Sequence, residues 1–166
     1  MALVKTSGPE RGTKQREALF QKVAAEHRDD LGAEVVKADR NTFYIAASAR
    51  RKELDRKAGD ATTMFFKGLL TANDKKFEQA LKMFDDAKST YGQAMNGWFG
   101  LAGAHLARND IAEAHQAFEI GMDLSINLAD AIDAKALVLD RMGNKEESEK
   151  MLKAADEVQK GNFAQC

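Results

Sequence analysis

Apolar residues recur at helical spacing along most of this chain, and in the second half the pattern repeats every 34 residues. The repeated places hold Ala80, Phe84 and Ala87, then Ala114, Phe118 and Gly121, then Ser148, Leu152 and Ala155. Upstream of each set a bulky residue (Met64, Trp98, Ile132) precedes a small one (Gly68, Ala102, Ala136) by four places. A period of this length is typical of stacked helical hairpins, each of which buries its apolar face against its neighbours. The pattern therefore predicts an all-α fold with an extended surface.

The same periodicity predicts where the helices begin and end. Before the repeats it predicts helices over 13–27 and 42–57, with Gly59 and Asp60 as a stop and a new cap; residues 33–41 fit either a helix or a short hairpin. In the repeats it predicts helix pairs over 61–72 and 77–90, 94–107 and 111–125, and 127–141 and 145–159. The tight turns within the pairs are Asn73-Asp74-Lys75, Arg108-Asn109-Asp110 and Met142-Gly143-Asn144.

These elements divide the chain into four parts. Residues 1–12, which hold the only proline, are expected to form a flexible arm, and residues 13–60 an N-terminal helical segment. Residues 61–160 hold three repeats, with bounds 61–94, 95–128 and 129–160, and residues 161–166 form a tail.

The second repeat resembles a tetratricopeptide repeat. Trp98, Leu101 and Ala102 occupy the first signature places of that family, and Ala114 and Phe118 occupy the next two. His105 stands in the place of the usual Tyr, Gly121 in that of Ala, and the usual terminal Pro is replaced by Gly92, Ile126 and Lys160 in the three repeats. The resemblance implies a right-handed α-solenoid of helix-turn-helix repeats with an N-terminal helical extension.

In that family the first helix of each repeat lines a concave groove that holds a segment of another protein. Carried onto this sequence, the groove places are Phe65, Leu69, Asn73, Asn96, Phe99, Gly100, Gly103, Leu106, Leu137 and Asp140. Such a groove would be apolar at one end and acidic at the other, so the resemblance implies an apolar or amphipathic partner segment with a basic end. Gly97, Gly100 and Gly103 fit a notch in this groove. Alternatively, Gly97 lies near the helix start, where glycine costs little, and the other two pack against the neighbouring hairpin.

Composition narrows the choice of partner. The formal net charge is −1, so no overall attraction to nucleic acid is expected. No apolar stretch is long enough to span a membrane, no secretory signal is visible, and the single cysteine is Cys166, so a cytoplasmic protein without membrane insertion is expected. Residues 1–60 hold 13 basic and 10 acidic side chains, whereas residues 61–166 hold 12 and 16.

No constellation for catalysis is visible. The three histidines lie on different predicted elements, and there is no phosphate loop or nucleophile motif, so neither an enzyme nor a cofactor is expected. The sequence favours a non-catalytic adaptor or scaffold that binds another protein or peptide segment. Two alternatives stay open: a small chaperone resembling the tetratricopeptide chaperones of bacterial secretion systems, and a structural protein that assembles with copies of itself.

Overall fold

The computed structural model describes residues 40–161 and, before them, the single helical residue Glu26. Over residues 40–161 the fold is all-α, as predicted, with four helices: α1 (Arg40–Asn73), α2 (Phe77–Ala107), α3 (Ile111–Arg141) and α4 (Lys145–Gln159). Outside the described residues lie the expected arm at 1–12, the predicted helix at 13–27 except Glu26, most of the ambiguous segment 33–41 and the end of the tail. Arg40 and Asn41 belong to α1.

The three tight turns are confirmed and share one geometry. The backbone reverses at Lys75, Asn109 and Gly143, which all have positive φ (61°, 61° and 84°). After each of them, one amide closes the end of the preceding helix: the Lys76 N–H donates to the Thr71 carbonyl at 3.1 Å, and the amides at 110 and 144 make the same bond. This is the Schellman arrangement, which satisfies carbonyls that the helix end leaves free. The 34-residue period of the sequence therefore corresponds to the spacing between successive turns.

The predicted break at Gly59 and Asp60 does not occur, because α1 runs without interruption from residue 40 to residue 73. Asp60 does not cap a new helix; its carboxylate accepts a hydrogen bond from Arg56 at 2.7 Å, one turn earlier on the same helix. The hydroxyls of Thr62 and Thr63 donate to the carbonyls of Ala58 and Gly59. These i to i−4 bonds leave the helical backbone intact, so the residues that read as a stop are absorbed into one long helix.

The breaks expected between repeats, near residues 92 and 126, are also wrong. In each case the second helix of one repeat continues into the first helix of the next, so α2 and α3 are each 31 residues long. The reason lies in the missing prolines: glycine lowers helix stability by about 1 kcal/mol without blocking a hydrogen bond, and isoleucine keeps its N–H. Gly92 and Ile126 consequently lie inside helices, and the repeat bounds at 94/95 and 128/129 fall within α2 and α3.

The helices pack as an antiparallel series in which each lies chiefly against the one before and the one after it. Across α1 and α2, the Tyr91 hydroxyl donates to Thr62 at 3.1 Å, and across α2 and α3 Lys135 pairs with Asp85 at 2.8 Å. Since successive helices reverse direction, the turns at 74–76 and 142–144 lie at one end of the array and the turn at 108–110 at the other. The first helix of the second repeat is thus at the opposite end from its equivalents in repeats one and three.

Small residues at the repeated places allow the helices to approach closely. Gly68 and Gly121 show this most directly: a methyl group on Gly68 would lie 2.8 Å from the Phe84 ring, and one on Gly121 would lie 2.5 Å from the Phe99 ring. In the third hairpin the buried Ser148 hydroxyl donates to the Ala136 carbonyl at 2.8 Å. The pattern of small residues in the sequence therefore corresponds to the places where paired helices approach closely.

Candidate protein-binding site

The final helix pair leaves an open apolar groove, which we call the end groove. It encloses about 510 Å³ and is lined by Asp133, Leu137 and Asp140 of α3 and by Lys145, Ser148, Glu149 and Leu152 of α4. Leu137 and Leu152 are 54% and 50% exposed. These leucines lie one on each helix, so the groove offers apolar surface between two rigid walls.

The charge around the end groove is mainly negative. Asp133, Asp140 and Glu149 outnumber the single Lys145 among its lining residues. Partial burial, followed by the nearby charge of Asp130, raises the pKa of Asp133 above its usual value. Both causes disfavour the ionised carboxylate, and a cation brought close to Asp133 would stabilise that ionised form.

A second exposed apolar surface lies on α1, and we call it the α1 stripe. Phe66, Leu69 and Leu70 form it, and Phe66 and Leu70 are 57% and 66% exposed. Their neighbour Phe65 turns inward: its ring lies 6.0 Å from that of Phe84 in a small cluster with Ala72 and Val138. Of the doubled apolar pairs at 65–66 and 69–70, only Phe65 thus turns toward the interior, and the other three side chains are exposed.

The ten groove residues predicted from the sequence do not form one surface. Leu137 and Asp140 line the end groove, Leu69 and Asn73 are exposed on α1, and Phe65 is half-buried beside them. Asn96 lies in a different cleft, between α2 and α3. Phe99, Gly100 and Gly103 are buried, and Leu106 packs against the main core cluster.

The burial of Phe99 corrects the expectation that it contacts a ligand. Its side chain is 1% exposed, and its ring lies 5.7 Å from that of Phe118, over Gly121. Gly97 meets the side chain of Leu54 from α1. Because α2 runs through the repeat junction, its second half lies between α1 and α3 instead of facing a concave groove. The interpretation of Gly97 as a residue near a helix start is therefore wrong, because Gly97 lies inside α2.

Part of this site was not predicted from the sequence. The predicted groove residues do not include five residues of these surfaces, because the family's groove places exclude them: Phe66, Leu70, Lys145, Glu149 and Leu152. A signal for the α1 stripe was present in the doubled apolar pairs, which exceed what one buried helix face requires. No comparable signal marked Leu152, because its repeated place predicts burial.

A smaller cleft of about 150 Å³ lies above Trp98, between α1, α2 and α3. The Arg51 guanidinium lies 6.0 Å from the centre of the Trp98 ring, and the indole Nε1 is buried without a hydrogen-bond partner. Burial lowers the pKa of His105, which lines the same cleft, and the nearby Asp110 opposes that shift. The cleft is too small for a helix, so it does not compete with the end groove as a protein-binding surface.

Residues 40–161 hold no cluster of three His, Cys, Asp or Glu side chains suited to a metal ion. Within the same range, none of the helices combines the length and apolar character needed to cross a membrane.

Comparison of the sequence with protein-family models, with curated proteins and with solved structures finds no match.

Proposed function

We propose that this protein is a non-catalytic binding module that holds an apolar or amphipathic helical segment of a protein partner in the end groove. The supporting observation is the exposure of Leu137 and Leu152 on facing helices, with carboxylates at the rim. A leucine-rich helix face would bury both side chains, and basic residues at its edge would meet Asp133, Asp140 and Glu149. This is the helix-in-groove mode of recognition.

The proposal keeps the partner chemistry implied by the tetratricopeptide resemblance but moves the binding surface. The single concave groove of that family is not part of it, because the first helix of the second repeat lies at the far end of the array. Binding at the end groove depends instead on the last hairpin, whose small residues Ala136 and Ser148 hold α3 and α4 close together. A groove with rigid walls loses little entropy on binding, which favours micromolar affinity from a few apolar contacts.

A designed amphipathic peptide provides the test. The peptide carries a leucine stripe flanked by lysines, and a scrambled peptide of the same composition serves as the reference. We expect the first peptide to bind in a fluorescence anisotropy titration, and Leu137→Asp to weaken its binding by about thirtyfold, the size expected when a central apolar contact is lost.

Ile126→Asp is the matched control variant. Ile126 is a large apolar residue of α3, exposed to about the same degree (48%), and it does not line the end groove. We expect this variant to bind like the unmodified chain. Equal binding of the two peptides, or equal losses in both variants, would contradict the proposal.

A further inference from the structure

Leu152 has an environment unlike those of its equivalents in the earlier repeats. Phe84 and Phe118 occupy the same place in the 34-residue pattern and are 1% and 2% exposed. Phe84 is covered from two sides, by Phe65 and Gly68 of α1 and by Val138 of α3. In the described chain α4 follows α3 and no further helix follows α4. The end groove is therefore equivalent to a gap that, in the first repeat, is filled by another helix.

The first helix of the array has an unused apolar face. α1 packs against α2, while Phe66 and Leu70 remain more than half exposed. These residues are four apart and so lie on one face of the helix. The array thus has a gap at its last helices and a free apolar helix face at its first.

The charges of these two ends are opposite. The sequence of α1 holds seven basic and three acidic side chains, whereas α3 and α4 together hold five basic and eleven acidic ones. Lys52, Arg56 and Lys67 of α1 are exposed, as are Asp140 and Glu149 at the rim of the end groove. Opposite charges on two surfaces steer their encounter and disfavour contact of either surface with itself.

From these observations we propose that the partner held in the end groove is α1 of a second copy of this chain, with the α1 stripe against Leu137 and Leu152. This inference rests on the proposed function, since it names the occupant of the same groove. The contact is heterologous, because two different surfaces meet and each copy keeps one of each free. Copies therefore add head to tail, in the order in which helices already pack within one chain.

Two single variants test the contact on the full chain. Leu152→Asp alters the groove and Leu70→Asp alters the stripe, and both sites are exposed enough to leave helicity, measured by circular dichroism, unchanged. We expect the unmodified chain to show a mass that rises with concentration in sedimentation equilibrium. Each variant should self-associate about thirtyfold more weakly, and Ile126→Asp should behave like the unmodified chain.

Mixing the two variants distinguishes a head-to-tail contact from a symmetric one. The Leu152→Asp copy keeps an intact stripe and the Leu70→Asp copy an intact groove, so the mixture should form one-to-one dimers and nothing larger. Raising the salt from about 0.1 M to about 1 M should weaken these dimers, since it screens exposed charges. Failure of the mixture to dimerise, while the unmodified chain associates, would overturn the inference.

The designed peptide separates failure of this inference from failure of the proposed function. A chain that stays monomeric at all concentrations overturns self-association, whether the groove is open or filled by another segment of its own chain. If such a chain still binds the peptide and loses it in Leu137→Asp, the groove binds a different protein. If it binds neither the peptide nor itself, both proposals are wrong.

Discussion

The first and last hairpins of the array carry the same sequence pattern in different surroundings. In the first, Phe84 is enclosed by α1 and α3 as well as by its own helix. In the last, Leu152 faces a groove and is half exposed. The two hairpins share the turn geometry and the close approach of paired helices, so local sequence does not explain the difference. What differs is whether a third helix lies alongside, and this decides whether an apolar position stabilises the fold or remains available for binding.

Truncating these two equivalent side chains should have very different effects on stability. We expect Phe84→Ala to lower the free energy of unfolding by about 3–5 kcal/mol, the usual range for a buried phenylalanine. Leu152→Ala should cost less than about 1 kcal/mol, because half of its surface is already in contact with water. Urea denaturation of both variants at a concentration where the chain is monomeric measures the difference. Equal losses would show that the end groove is closed in solution.

Two glycines sharpen the comparison between packed and open positions. Gly121→Ala should destabilise the chain by about 1–3 kcal/mol, since the added methyl group would meet the Phe99 ring at 2.5 Å. Gly92→Ala is the matched control, because it lies within α2 and has open space where a methyl group would be. There alanine should raise the free energy of unfolding by up to about 1 kcal/mol through its better helix propensity.

Thermal or urea unfolding of the two alanine variants gives the sign of each change directly. A lower free energy of unfolding for Gly92→Ala than for the unmodified chain would mean that the helix is broken at the repeat junction in solution. That outcome would restore the separate helices expected from the sequence.

The turns and the buried phenylalanines are the features of the fold that could be predicted from the sequence. The turns at 108–110 and 142–144 were predictable, and the turn at 74–76 was predictable to within one residue, because each lies at the same phase of the pattern near an Asn. The positive φ of Lys75 was not predictable, since the predicted turn began at Asn73, which belongs to α1. The burial of Phe84 and Phe118 followed from the same phase. The turns depend on interactions within one hairpin, which a 34-residue pattern encodes directly, whereas the burial of Phe84 also needs Val138 of α3.

The continuity of the long helices was not predicted, although the evidence was present in the missing prolines. Gly59, Asp60 and Gly92 all occur at helix ends in many proteins, so their local signals favoured breaks. Helix propensity differences of about 1 kcal/mol are smaller than the free energy gained when a long helix packs against two neighbours. The packing energy therefore determines that the helices are continuous. The candidate site depended on that outcome, because continuity separates the first helices of the three repeats and buries Phe99.

The interior and the end groove should also respond differently to pH. Burial lowers the pKa of His105, so the unfolded chain takes up a proton there more readily than the folded chain as the pH falls through about 6.5. Stability contributed by neutral His105 is therefore present above that pH and lost below it. His105→Gln should flatten the fall in stability between neutral pH and about pH 5. The exposed His115, replaced in the same way, should leave that fall in place.

The contribution of Asp133 to stability should change with pH in the opposite direction from that of His105. Partial burial and the charge of Asp130 raise its pKa, so the folded chain holds a proton at a higher pH than the unfolded chain does. The ionised carboxylate therefore destabilises the fold at neutral pH, and acidification removes this penalty. Asp133→Asn should stabilise the monomer at neutral pH, and the gain should vanish once the pH falls below the ordinary value of 3.8. Unfolding curves of both chains across this range measure the difference. The gain should also shrink when a basic helix fills the end groove, because a nearby cation stabilises the ionised Asp133; an unchanged gain would show that the helix lies elsewhere.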